Sequence, residues 1–147
     1  MPAPIYVLNG PNLNRLGTRE PDIYGHTTLA EVETMCREAA GDHPLVFRQS
    51  NKEFEIIEWV HEAIDAKAAI VINPAAFTFY SMAIMDALKM ASGPIIELHI
   101  SNVHKREPMY HKSLVSAVAT AVIAGLGPYG YVVAIQSIKH ILASTPA

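Results

Sequence analysis

Apolar residues along this chain fall into short blocks whose spacing alternates between two periods. Residues 5–8, 45–47, 68–72 and 95–100 are largely apolar runs of strand length, and turn-forming residues such as Asn9-Gly10-Pro11 and Asn73-Pro74 close them. Between these runs the apolar positions recur every three or four residues. Thr28-Leu29-Ala30-Glu31 has the spacing of a capping box, with Leu29, Val32, Met35, Cys36 and Ala39 forming one helix face behind it. Ser50-Asn51-Lys52-Glu53 repeats the capping pattern ahead of Phe54, Ile57, Val60 and Ile64. A third helix is expected over residues 80–90, with Met82, Met85 and Leu88 along one side. Residues 114–126 carry a nearly unbroken apolar run with no period to read, and the expectation there is a short helix followed by a strand over 121–124. Pro128 suits the first position of a last helix on which Val132, Ile135, Ile138 and Leu142 align.

Strands that alternate with helices and are apolar on both faces predict a parallel sheet covered on each side. Five such units in 147 residues fit an α/β, flavodoxin-like, doubly wound five-stranded parallel sheet, with residues 1–147 as a single domain. Ligands of such sheets sit at the carboxyl ends of the strands. The long polar segments fall there: 9–24 after the first strand, 73–80 after the third and 99–106 after the fourth. Gly125-Leu126-Gly127-Pro128-Tyr129-Gly130 fits G-x-G-x-x-G, but no strand with an acid roughly 20 residues on follows it. A tight strand-to-helix turn explains these glycines better.

Composition narrows the class. A net charge of -3 with 11 Lys and Arg spread along the chain gives no basic stripe for nucleic acid. The single Cys36 cannot form an internal disulfide, which suits a cytoplasmic protein. The first residues lack the order of a signal peptide, and Lys67, Asn73, Pro74 and Asp86 interrupt the longest apolar stretch, so no membrane span is expected. Half of the residues are apolar, enough that some surface is expected to be buried between subunits. Cys36 and the methionines are assigned to the core; His26, His43, His61 and His140 to the surface. His104, Glu107 and His111 match no compact ligand spacing, so no metal is expected.

The rim residues suggest acid–base chemistry. Glu97 and His99 are two apart on one strand and share a face, so the carboxylate can fix the imidazole while Leu98 points to the core. A phenol such as Tyr24 needs a nearby cation to serve as a base, and Arg15 and Arg19 lie in the same loop. Asn12 and Asn73 offer neutral amides for an enolate oxygen or a carboxylate. Ile100 and Ser101 leave the strand where backbone N–H groups turn free to hold an anion.

The strings LNGPNLNRLGTREPDIYG, INPAAFTFYS and ELHISNVHKREP resemble the type II 3-dehydroquinate dehydratases, and the resemblance runs from about Ile5 to Leu142. It implies a cofactor-free lyase that dehydrates 3-dehydroquinate to 3-dehydroshikimate through an enolate, in the shikimate pathway or in quinate catabolism. By that resemblance Tyr24 is the base, Arg19 on a mobile lid assists it, Asn12 stabilises the enolate through a water, and His99 is the acid oriented by Glu97. Asn73 and the amides of Ile100 and Ser101 hold the substrate carboxylate, with Arg106 beside the ring. Asp86 matches an aspartate that reaches a neighbouring subunit, in a family that assembles as a dodecamer of trimers.

Two positions depart from the family pattern. Phe79 stands where a His is usual, and Tyr110 where an Arg is usual; both usual residues bond hydroxyls on the far side of the substrate ring. Tyr80 and Tyr110 retain phenolic donors that can replace them in part, and Met85 stands where an Arg is common beside the aspartate. These departures leave a same-fold lyase of altered substrate preference or weak activity as the alternative. A flavodoxin-like binding module fits less well, since the strand ends lack both the acid cluster of a phosphoacceptor and the Ser- and Thr-rich turn of a flavin carrier.

Overall fold

A computed structural model describes residues 2–145. Five strands, β1 (Ile5–Asn9), β2 (Leu45–Gln49), β3 (Ala69–Asn73), β4 (Ile95–His99) and β5 (Ala121–Ala124), form one sheet in the order β2-β1-β3-β4-β5. Every pairing is parallel. The helices are a single turn, α1 (Pro21–Tyr24), then α2 (Leu29–Ala40), α3 (Glu53–Asp65), α4 (Met82–Leu88) and α5 (Tyr129–Ser144). Chain order reverses between β1 and β3, the switch point at which such sheets open a crevice.

Strand pleating sorts the core into two layers. Ile5, Val7, Val71, Ile96 and Leu98 face α2 and α5, whose Val32, Cys36, Tyr131, Ile135 and Ile138 are buried against them. Tyr6, Leu8, Ile70, Ile72 and Ile95 face α3 and α4, meeting Ile56, Val60, Ala63, Ile84 and Leu88. The capping box of α2 forms as expected, with Thr28 Oγ1 accepting from Glu31 N–H and the Glu31 carboxylate accepting from Thr28 N–H.

Several local expectations are corrected. The second capping box does not form. Lys52 stands at the N-cap of α3, while Ser50 Oγ accepts from Lys52 N–H and donates to Glu55, and Glu53 accepts from Ser81. The buried face of α3 runs through Ile56, Val60 and Ala63, which leaves Phe54 57% exposed. Helix α4 begins only at Met82, because residues 75–79 form a 3-10 turn and Ser81 caps the helix by accepting from Ile84 N–H. Its buried face is Ile84, Ala87 and Leu88. Met82 on its other side, Met90 just beyond it and Met109 in the 108–110 turn are exposed rather than in the core, whereas Cys36 is fully buried.

Two glycines are demanded by close approach. A Cβ on Gly10 would lie 2.2 Å from the Pro74 carbonyl oxygen, and Gly10 N–H donates to Asn73 O at 2.8 Å, locking the loops after β1 and β3 together. The 125–130 glycine string is the tight β5–α5 turn: Gly125 and Gly127 have φ of 93° and 63°, and a Cβ on Gly130 would meet Leu98 at 2.7 Å.

Candidate active site

The three polar segments meet around one open cavity of about 220 Å³ at the carboxyl ends of β1, β3 and β4. That volume suits a ligand smaller than drug-sized molecules, whose pockets span ~300–1,000 Å³. Asn12, Arg19, Tyr24, Asn73, His99, Ile100, Ser101, Arg106 and Tyr110 all line it, together with Phe79. Glu97 lies behind His99. Asp86 lies elsewhere, on α4, exposed and 3.8 Å from Lys89, so within a single chain it does not join the cavity.

The loop after β1 is shaped by its own backbone. Asn12 adopts a left-handed conformation, φ 69°, a region in which Asn is enriched over other non-glycine residues. Its N–H donates to Asn51 Oδ1 at 2.9 Å. Pro21 then opens the single turn α1, which carries Tyr24 back into the protein, where it is 9% exposed.

Two guanidinia converge on the Tyr24 hydroxyl. Arg19 Nη2 donates to it at 3.2 Å with Cζ 4.1 Å from the ring centroid, and Arg106 Nη1 donates at 3.0 Å. Of the two candidates expected from the loop, Arg19 reaches Tyr24, whereas Arg15 is exposed and outside the cavity; Arg106 from the loop after β4 supplies the second cation. Two positively charged groups therefore bond one phenolic oxygen.

Opposite them, His99 Nε2 bonds Glu97 Oε2 in a buried pair, and Glu97 Oε1 accepts from Ser116 Oγ at 2.6 Å. Burial pushes the Glu97 carboxyl up, but hydrogen bonds from His99 and Ser116 outweigh it, so its net displacement is below the usual carboxylate range. An ionised carboxylate only accepts, so His99 is the donor through Nε2–H. Its Nδ1 makes no hydrogen bond to the described residues. That nitrogen is the one available to a ligand.

Asn73 is 3% exposed and its orientation is fixed from both ends. Asn73 Nδ2 donates to Tyr131 Oη at 2.8 Å, Tyr131 donates on to Asn9 Oδ1 at 2.7 Å, and Asn73 Oδ1 accepts from Ala75 N–H at 3.3 Å. Burial pushes the Tyr131 phenol up, which keeps its hydroxyl a donor. One Nδ2 hydrogen of Asn73 remains for the cavity. The N–H groups of Ile100 and Ser101 at the end of β4 donate to no turn, loop or side chain among the described residues.

Ser116 and Tyr131 are supporting residues that sequence reasoning missed. A buried tyrosine hydroxyl requires a partner, which was a usable signal at residue 131, but its partners lie 58 and 122 residues away and only the fold selects them. Tyr80, expected to retain a donor for the far side of the ring, is 61% exposed and outside the cavity.

A family model described as Dehydroquinase class II matches residues 3–139. The chain belongs to the class II dehydroquinase family. It is 56% identical over 140 residues to 3-dehydroquinate dehydratase 2 of Agrobacterium fabrum, covering 93% of this chain and 95% of that protein. It is 53% identical to the 3-dehydroquinate dehydratase of Streptomyces coelicolor, covering 99% and 94%. The crystal structure of the type II dehydroquinase of Propionibacterium acnes superposes with a TM-score of 0.91 at 44% identity, covering 95% of this chain and 98% of that one. The sheet order, the converging loops and the matched span thus agree on one class II dehydroquinase fold.

Proposed function

We propose that this protein is a hydro-lyase that converts 3-dehydroquinate to 3-dehydroshikimate, as its relatives are named to do, by anti elimination through an enolate. The observation that carries this reading is the placement of one phenol between two guanidinia across a small cavity from a carboxylate-held imidazole and two open backbone amides.

In that reading the Tyr24 phenolate removes the C2 proton, and the electron pair moves onto the C3 carbonyl oxygen. Asn12 stabilises the enolate through a water. The enolate then collapses, the C1–O bond breaks, and His99 delivers a proton from Nδ1 so that the hydroxyl leaves as water. Glu97 balances the imidazolium, and Ser116 holds Glu97. The Asn73 amide and the N–H groups of Ile100 and Ser101 hold the substrate carboxylate. Arg19 and Arg106 hold the phenolic oxygen in place, and the proton it takes passes to solvent before the next turnover.

Exposed apolar residues on the single chain, Met82, Tyr80 and Val122 among them, are accounted for by assembly into a dodecamer of trimers, in which Asp86 approaches a neighbouring site. A free buried Cys36 and the absence of any helix long and apolar enough to cross a membrane among the described residues fit a cytoplasmic location. The test is direct. Purified protein given 3-dehydroquinate should produce the conjugated enone absorbance of 3-dehydroshikimate in proportion to enzyme; no product at any enzyme concentration would sink the proposal.

A further inference from the structure

Phe79 and Tyr110, the two departures from the family pattern, touch each other, and they touch His99 and Arg106. Phe79 stacks beside His99 with centroids 6.4 Å apart and planes at 21°, and meets Tyr110 edge to face at 5.4 Å and 74°. The Tyr110 ring in turn lies under Arg106, whose Cζ is 3.9 Å from its centroid, and Arg106 donates to the Tyr24 hydroxyl. Tyr110's own hydroxyl bonds no group among the described residues, so what the residue supplies is its ring face.

We infer that Tyr110, braced by Phe79, is a positioning residue that clamps the Arg106 guanidinium onto the Tyr24 hydroxyl. A guanidinium on a long flexible stem must be held flat against something to keep one Nη on a single oxygen, and a ring face at 3.9 Å does so by cation–π attraction and by stacking. An Arg at position 110 would provide a donor to substrate but would repel Arg106. The exchange of Arg for Tyr therefore trades a hydroxyl contact at the far side of the cavity for a second cation fixed on the base. Position 79 follows the same logic, since an apolar ring there supports the Tyr110 edge where a His would add a polar group.

This inference rests on Tyr24 being the base, so the experiment separates the two. Turnover of 3-dehydroquinate is compared for wild type, Tyr24→Phe, Tyr110→Phe, Tyr110→Leu, Arg106→Ala and the double variant Arg106→Ala, Tyr110→Leu, with phenylglyoxal labelling of Arg106 followed by peptide mass spectrometry. Tyr110→Phe keeps the ring and should stay within about twofold of wild type, while Tyr110→Leu should lose about 10-fold in kcat with KM little changed. In the Arg106→Ala background the Leu change should cost nothing more, because the two act as one unit. Labelling at Arg106 should speed up in Tyr110→Leu and not in Tyr110→Phe. Equal labelling in Leu and wild type, or additive losses in the double variant, would overturn the clamp. A Tyr110→Phe variant with raised KM would overturn it too, by showing that the hydroxyl serves substrate. A fully active Tyr24→Phe would remove the base assignment instead, and the labelling result then decides the clamp alone.

Discussion

Replacing Glu97 with Gln isolates the electrostatic part of the acid. The side chain is buried, bonds His99 and Ser116, and lies outside the cavity wall, so Gln keeps the shape while removing one charge. At an effective dielectric of ~20, opposite unit charges ~4 Å apart attract by ~4 kcal/mol. The neutral amide retains a hydrogen bond of ~1 kcal/mol. The difference, ~3 kcal/mol, falls on the imidazolium that donates the proton, so kcat should drop on the order of 100-fold. KM should barely change, since Glu97 does not line the cavity. Acid unfolding supplies a second readout with a definite sign. Because folding lowers the Glu97 carboxyl from its ordinary value, its contribution to stability is present above about pH 4.3 and is lost as pH falls through the folded value. The Gln variant should lack that acid limb. Enone absorbance gives kcat, and circular dichroism against pH gives stability. A Glu97→Gln enzyme with kcat within threefold of wild type would refute the pairing argument, as would an unchanged acid limb.

Other consequences are equally specific. Tyr131→Phe removes the hydroxyl that joins Asn73 to Asn9, leaving two buried polar groups unpaired at ~1–3 kcal/mol each, so thermal unfolding should fall by roughly 5–15 °C and turnover should weaken as Asn73 loses its anchor. Burial pushes the Cys36 thiol up to about 12, so a disulfide reagent should leave it unreacted at neutral pH in the folded protein and titrate one thiol once denaturant is added. The double variant Phe79→His, Tyr110→Arg gains two donors toward the ring hydroxyls and loses the clamp on Arg106, so KM and kcat should both fall; a rise in kcat would contradict the role given to Tyr110.

The strand-and-helix order, both layers of the core and the rim that gathers the polar loops were legible in the sequence because each depends on local period and on turn residues. Residues 121–124 form the fifth strand, as expected, although the apolar run around them has no period and only the alternation of elements before it favoured a strand there. Helix faces were less legible. Phe54 looked like a core position at helical spacing, but the face of α3 is chosen by what β1 and β3 present, and Ile56 and Ala63 win. Within the site, groups close in sequence, such as Glu97 with His99 and Arg19 with Tyr24, could be paired from the sequence. Arg106 on Tyr24 is 82 residues away, and Tyr131 on Asn73 is 58 away. Such partners are set by loop convergence at the sheet edge, which no local pattern encodes. The aromatic contact of Phe79 with Tyr110 is of the same kind: two positions read separately as missing donors turn out to be one packed unit.

The central claim is that a phenol held by two guanidinia performs the proton abstraction. Turnover of 3-dehydroquinate by wild type and by Tyr24→Phe at matched thermal stability tests it most directly. The account predicts enone formation by wild type and a loss of at least ~10²-fold in the Phe variant, the usual scale of a general base. Equal rates in the two proteins would contradict it.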